Sequence, residues 1–326
     1  MDALSEVLRA ARLSGGVFLR GEFSEPWCLA SAVNASDCSR YLGPADHLVL
    51  YHYIAEGVLT IAFTDEAPQT FHPGQVAILP RNDPHTLGGR QPAGPVSALD
   101  VARIPKPGDL MVIDHGGGGE PTRIICGFLG GRALADDPLL SSLPKLLRFD
   151  CSTVRSGELV RTSLEFAAEE VAAGRAGSDA MLARLSELLF VEAVRNYVEA
   201  LPDDADGWLG ALKDRAVGQA LAAIHANPEQ PWTVDLLGRE AGMSRSALAE
   251  RFVRYVGHPP AEYLAQHRMR LAARELARGN APLVEIAEAV GYGSEAAFSR
   301  AFKRAYGVAP SVWRRETSVQ MPTAAN

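Results

Sequence analysis

Two stretches of the chain, 234–260 and 284–310, align without a gap at an offset of 50 and carry arginine, lysine, serine and glutamate between apolar positions. Val234/Val284, Ser244/Ser294, Ala247/Ala297, Phe252/Phe302, Arg254/Arg304, Gly257/Gly307 and Pro260/Pro310 are identical pairs. Guanidinium, ammonium, hydroxyl and carboxylate groups suit two tasks on a nucleic acid: holding phosphates and hydrogen-bonding to base edges. In the first stretch the candidates are Arg245, Ser246, Ala249, Glu250 and Arg254. In the second they are Glu295, Ala296, Ser299, Arg300, Lys303 and Arg304.

Such groups act together only if one element presents them on one face. Each stretch reads as a short apolar helix, a tight turn and an amphipathic helix that begins at serine. Thr233 caps the first short helix, Gly242-Met243 forms the turn and Ser244 caps the second helix. Leu248, Phe252 and Val256 then face inward. In the second copy Pro282 opens the unit, Gly291-Tyr292-Gly293 turns, Ser294 caps, and Phe298, Phe302 and Tyr306 face inward. This is the layout of a helix-turn-helix, whose second helix lies in a major groove. Between the units, 260–278 reads as one helix of about 28 Å at ~1.5 Å per residue. That length suits two recognition helices about one DNA turn apart. Ala261, Leu264, His267, Met269, Leu271, Ala272 and Leu276 are its packing residues, and Arg268, Arg270, Arg274 and Arg278 make it basic.

Residues 213–316 resemble the DNA-binding domain of the AraC/XylS family of bacterial transcription regulators. The matching stretches are Gly242-Met243-Ser244-Arg245-Ser246, Arg251-Phe252, Gly257-His258-Pro259-Pro260 with Tyr263-Leu264, and Gly291-Tyr292 through Ala297–Arg304. Tyr306-Gly307, Pro310 and Trp313-Arg314 complete the match. His267 departs from the family, whose members often carry Trp there. The resemblance implies sequence-specific binding to double-stranded DNA and control of transcription, by activation more often than repression. RNA polymerase is a partner if the chain activates.

Composition agrees with a divided molecule. The 326 residues suffice for two domains and 47% are hydrophobic. The net charge of −7 would argue against nucleic acid, but residues 213–316 hold 15 basic and 11 acidic side chains, so the excess acid lies elsewhere. Cys28, Cys38, Cys126 and Cys151 show no CxxC spacing, and there is no N-terminal signal or long apolar run. Reduced thiols and a cytoplasmic location are expected, with no membrane partner.

Residues 14–130 read as short strands separated by Gly, Pro, Asn and Asp, the pattern of a small barrel or jelly roll. The stretch Gly74–His85 resembles the second motif of cupin domains in Gly74, Pro80 and His85, and departs from it at Asn82. The resemblance implies a ligand-binding barrel. Cupin enzymes also need a His-x-His pair and a carboxylate, and here His47 and His52 are five apart, which puts them on opposite faces of a strand. No metal, cofactor or catalytic residue is therefore expected, although Cys28, Cys38 or Cys126 leaves a metal or redox role open. Candidate ligand contacts are Trp27, Tyr51, Tyr53, Arg81, His85 and Arg103. Gly116–Gly119 reads as a flexible loop that does not bind phosphate. Helices follow Asp137-Pro138: Leu139, Leu140, Leu143, Leu146 and Leu147 fit one apolar face, and 159–173 and 179–201 form two more. Their apolar surface serves either packing on the barrel or dimerisation.

The sequence thus predicts a multidomain α+β fold: an N-terminal cupin-like β-barrel with helices, and a C-terminal all-α double helix-turn-helix. The expected limits are 1–205 for a sensor and dimerisation domain, 206–316 for the DNA-binding domain and 317–326 for a flexible tail. The expected function is that of an effector-responsive activator, homodimeric and non-enzymatic, with a small-molecule effector. Two alternatives stand beside it: a ligand-independent regulator with a structural barrel, and a cupin enzyme fused to a DNA-binding module.

Overall fold

The computed structural model describes residues 2–11, 13–35, 37–38, 45–91, 93–103, 111–131, 137–172, 178–279 and 281–319. The chain forms two compact units. One comprises Leu13–Gly131 and Leu143–Tyr197, and the other Met1–Arg12, Arg132–Ser142 and Val198–Asn326.

The first unit is built from two sheets. Strands are β1 (Ser14–Ser24), β2 (Cys28–Ser31), β3 (His47–Glu56), β4 (Leu59–Ala62), β5 (Gln69–Phe71), β6 (Gln75–Leu79), β7 (His85–Gly88), β8 (Val96–Ser97), β9 (Ala102–Arg103), β10 (Met111–Gly116), β11 (Pro121–Gly131) and β12 (Leu147–Asp150). The larger sheet has the order β12-β6-β3-β11-β1-β10-β9, and the smaller β5-β4-β7-β2-β8. Alternation along β3 explains which side chains meet. Leu48, Leu50 and Ile54 join Leu19, Phe23 and Phe128 in the enclosed core, and His52 shares their parity. Val49, Tyr51 and Tyr53 have the opposite parity, yet they too are buried.

Two helices account for that second burial: α4 (Gly157–Ala172) and α5 (Ser178–Ala200). The Tyr51 hydroxyl lies 2.9 Å from Ser186 Oγ, and Tyr53 donates to Glu165 at 3.1 Å. Of the two expected uses for these helices, packing on the barrel is therefore present. Leu159 and Phe166, in contrast, stay exposed. The leucines after Asp137 do not form one helix. Pro138–Ser142 is a short helix, α3, whereas Leu147 lies in β12, which pairs antiparallel with β6. Leu147 and Phe149 are buried on alternating positions of that strand, a period that the clustered leucines conceal.

The second unit is helical: α1 (Ala3–Ala11), α3, α6 (Gly207–Lys213), α7 (Arg215–Ala226), α8 (Val234–Glu240), α9 (Arg245–Val256), α10 (Pro260–Arg278), α11 (Leu283–Ala289), α12 (Glu295–Tyr306) and α13 (Pro310–Val319). A last short helix, α2 (Ala98–Val101), belongs to the first unit. α1 packs on α7, and α3 on α6. This division differs from a single cut at 205/206, because two pieces from early in the chain are shared with the C-terminal helices. The reason is a polar bond and apolar packing invisible to local pattern, described below. Thr317–Val319, expected in a flexible tail, continue α13, while 320–326 lie outside the described residues. The Gly-rich turn at 173–177 also lies outside them.

Both helix-turn-helix units close as their residue types require. Thr233 accepts from Leu236 N, Ser244 from Ala247 N and Ser294 from Ala297 N. Gly257 and Gly307 end α9 and α12 at φ 82° and 79°, a left-handed conformation that costs glycine little. Their amides donate to Val253 O and Lys303 O. Leu248, Phe252 and Tyr255 form the buried stripe of α9, so the inward residue in its last turn is Tyr255 and not Val256. A spacing of seven residues keeps the stripe on one face better than eight.

Candidate nucleic-acid interface and barrel cavity

On α9 and α12 the expected contact residues fall on the open side. Arg245, Ser246, Glu250 and Arg254 are exposed, and so are Glu295, Ala296, Arg300, Lys303 and Arg304; Ala249 and Ser299 are half-buried. Opposite them, Phe252, Phe298 and Phe302 are fully buried. The Phe302 ring packs against Phe298, Tyr306 and Trp313 at centroid distances of 5.7, 4.8 and 5.9 Å. Each recognition helix is therefore fixed by aromatic burial while its polar face remains available to solvent or a ligand.

The two faces differ in their electrostatics. On α9 the basic groups already have acidic partners: Arg245 with Asp235 at 3.4 Å, Arg254 with Asp206 at 3.1 Å, and Arg251 with Asp214. Asp214 also caps α7, and its carboxyl is held below the ordinary range, burial opposing the effect of Arg251 and of the amides of Val217 and Ala216. Arg300, Lys303 and Arg304 on α12 form no ion pair with a described residue. The second unit thus presents more uncommitted positive charge.

α10 connects the two units and holds a buried polar cluster. His267 is inward as expected, but Ala261 is exposed, and Tyr263 and Arg274 take its place in the packing. Arg274 was one of four arginines expected to lend the helix surface charge. It is instead buried beside Asp137, with Nη2 2.5 Å from the carboxylate and side-chain exposures of 5% and 8%. Asp137 uses its other oxygen to cap α3 through Leu139 N and Leu140 N. Breaking such a buried pair by removing one partner costs about 3–5 kcal/mol, since the other charge stays behind. This bond is what draws residues 137–142 into the helical unit.

Next to it, His225 Nε2 lies 2.8 Å from the Tyr263 hydroxyl, and the His225 and His267 rings are 4.0 Å apart. Burial first, and then Arg270 and Arg274, push His225 down to about 3; burial and the neighbouring His225 lower His267 as well. Unfolded histidine titrates near 6.5, so between these values the unfolded chain binds more protons. The stability contributed by the neutral rings is full above about pH 6.5 and is lost as pH falls toward 3. Urea midpoints of the helical unit are expected to drop between about pH 7.5 and 5, and less so in His267→Phe. Equal midpoints in the parent across that range would contradict this.

Inside the barrel, one cavity of about 40 Å³ is lined by Phe23, Leu29, Leu50, His52, Leu87, Ile124 and Cys126, among others. A second of about 60 Å³ reaches Asp37, Cys38, Leu99, Ala102 and Met111. None of the six expected ligand contacts lines either. Trp27 is stacked on Phe23 at 4.0 Å, Tyr51 and Tyr53 point the other way to the helices, and Arg81 binds Asp83 and Leu143 O. His85 is buried with Nδ1 2.8 Å from Asp83 O, and Arg103 is exposed. Two polar residues that do line the cavity, His52 and Cys126, were weighed only for a metal or redox role and not among the six; their Nδ1 and Sγ lie 2.8 Å apart. Counting parity from Leu50 would have found His52, since alternate residues share a face.

The cupin metal set is not assembled here. His52 and His85 approach edge to face at 5.9 Å, but Glu56 pairs with Arg123 and His47 meets Pro80 O. Among the described residues no group of three or more His, Cys, Asp or Glu is placed to hold a metal. All four cysteines are free and buried, and burial raises Cys38 to about 12 and Cys126 further, so both are thiols. The glycine loop 116–119 is held: Gly117 N donates to Ser24 O, Gly118 N to Ser24 Oγ and Gly119 N to Glu25 O. Those amides are consumed, which leaves none of the three for a phosphate. Among the described residues no helix is long and apolar enough to cross a membrane.

Comparisons with known proteins divide the chain once, between residues 199 and 237. A family model described as Cupin matches residues 2–199, and one described as Helix-turn-helix domain matches 237–316. The chain is 30% identical to the HTH-type transcriptional regulator AlkR of Acinetobacter baylyi, over 97% of its own length and 100% of that protein's. It is 37% identical to a putative AraC-like transcription regulator of Streptomyces lividans, over 64% of this chain and 68% of that one. The RCS-specific HTH-type transcriptional activator RclR of Escherichia coli is 27% identical, with 99% and 100% covered.

Proposed function

This chain belongs to the AraC-like, cupin-bearing helix-turn-helix regulators of transcription, and from that premise we propose that it is an effector-responsive activator. Binding to DNA and control of transcription come with the family. The finer reading is that 1–205 senses and dimerises while 206–316 reads DNA, with the early segments 2–11 and 137–142 lending the latter support. The observation that carries it is the exposed polar face on each of α9 and α12, each backed by its own buried aromatic residues. Homodimerisation through the exposed Leu159 and Phe166 of α4, contact with RNA polymerase, a cytoplasmic location and the absence of catalysis belong to the same reading. Support for a sensor is the apolar lining of the barrel cavities, the usual setting of a ligand pocket.

Base reading is assigned to Arg245, Ser246 and Glu250 on one helix and to Ser299 and Arg300 on the other, because these lie in the first turns. Arg254, Lys303 and Arg304 are assigned to phosphates. The full chain should select a family of duplexes with two half-sites on one face. Against a selected duplex, Arg300→Ala is expected to lose about 1–3 kcal/mol and to relax preference at one base pair. Arg254→Ala is expected to weaken all sequences alike, and less, because its guanidinium gives up a bond to Asp206 when it meets phosphate. A uniform loss for Arg300→Ala would reassign it to the backbone.

A further inference from the structure

We propose that α9 reads a cytosine and a thymine in the major groove, Glu250 accepting from the cytosine amino group and Val253 packing on the thymine methyl. The proposal rests on the DNA-reading face described above and names bases of one half-site.

Helical spacing sets the geometry. Ser246, Ala249, Glu250 and Val253 follow one another at steps of three, one and three residues, so they lie in one stripe along α9. Ser246, Glu250 and Val253 are exposed and Ala249 is half-buried, while Leu248, Phe252 and Tyr255 take the opposite side. Val253 is 41% exposed. A lone apolar residue at the surface needs no explanation by itself. This one occupies the position at which the second unit, fifty residues on, has Lys303. The full stripe matches Ala296, Ser299, Arg300 and Lys303 of α12. The two faces are therefore chemically unlike: α12 offers two cations, α9 one anion beside the apolar Ala249 and Val253. The cations flanking the α9 stripe are engaged, Arg245 with Asp235, Arg251 with Asp214 and Arg254 with Asp206. Glu250 forms no ion pair with a described residue.

The major groove offers such a stripe few partners. Guanine presents only acceptors there, which a carboxylate repels, and adenine sets an acceptor beside its amino group. Cytosine presents its N4 amino group, and thymine carries the only methyl. A carboxylate next to an apolar side chain thus fits cytosine next to thymine. From Glu250 to Val253 the helix rises about 4.5 Å at ~1.5 Å per residue. A DNA strand rises ~3.4 Å per nucleotide, so the two bases are adjacent or one apart. Ala249, one turn before Val253, widens the apolar surface that shields the methyl from water.

The test selects duplexes from a random library with the full chain and measures affinities by fluorescence anisotropy at fixed salt. Arg300→Ala relaxes one half-site; the half-site left selective belongs to α9, and it is expected to contain the cytosine and thymine. Replacing that thymine by deoxyuridine keeps the base pair and removes only the methyl. Affinity is expected to fall about fourfold, the worth of one buried methyl group. Val253→Ala should weaken the thymine duplex to a similar extent and bind thymine and uracil alike. Val253→Lys should erase the same discrimination and steepen the salt dependence by about one phosphate contact. Glu250→Gln should lose the preference for cytosine. Both side chains are exposed, so the variants are expected to match the parent in helical circular dichroism and melting. Uracil bound as well as thymine throughout that half-site, discrimination retained in Val253→Ala, or cytosine preference retained in Glu250→Gln would each overturn the proposal. The groove-reading assignment would then survive, because Arg300→Ala still relaxes its own base pair. No selected sequence from the library would overturn the DNA-reading face itself, and this proposal with it.

Discussion

Asp137→Ala is expected to destabilise the helical unit by about 3–5 kcal/mol, the usual cost of removing one member of a buried ion pair. Loss of the cap on α3 adds to this, because Leu139 N and Leu140 N lose their acceptor. Asp137→Asn keeps the cap and isolates the charge. Pairing it with Arg274→Met removes both charges at similar volume and should recover most of the loss, as replaced buried ion pairs often do. Urea unfolding of the four proteins, read as a double-mutant cycle, gives the coupling directly. If the single and double variants unfold alike, the pair contributes nothing.

Phe302→Ala is expected to cost about 3–5 kcal/mol and to abolish reading of one half-site. The ring is fully buried among Phe298, Tyr306 and Trp313, and the smaller side chain leaves a cavity that three rigid rings cannot close. The equivalent Phe252 sits in a different neighbourhood, edge to face with Tyr263 at 5.7 Å, so Phe252→Ala should loosen the first unit instead. Footprinting separates the two. Each variant should lose protection over one half-site and retain it over the other at raised protein concentration. Loss of both half-sites from either substitution would mean that the two units fold as one.

Much of this was legible in the sequence because the C-terminal region is local. The caps Thr233, Ser244 and Ser294 and the stops Gly257 and Gly307 act within three or four residues, and the apolar stripes repeat within one helix. The last-turn residue of α9, Ala261 and Arg274 were misplaced. The barrel was less legible. Its strands were visible by composition, yet the direction of each side chain depends on register, and one residue of parity separates Tyr51 from His52. Aromatic and cationic residues drew attention as ligand contacts, whereas Tyr51 and Tyr53 anchor helices and Arg81 ties a turn. β12 was concealed by leucines that fit a helical face equally well. Arg274 misled for a simpler reason: nothing in its own helix reveals a carboxylate 137 residues away.

The α3 segment also bears on how such proteins can exchange parts. A recombination event at the 202–207 turn would transfer the C-terminal helices to a foreign barrel in one piece. The recipient would receive Arg274 but supply its own residue in place of Asp137, and its own surface in place of α1 against α7. Unless it happened to offer an acid there, the hybrid would lose this buried ion pair. The inheritable DNA-reading part is thus interlaced with its sensor at two earlier points in the gene, and viable shuffling has to carry 2–11 and 137–142 along with 198–319. Lineages built this way are expected to diversify their barrels by gradual substitution around a fixed pair of clasps, more than by trading whole barrels.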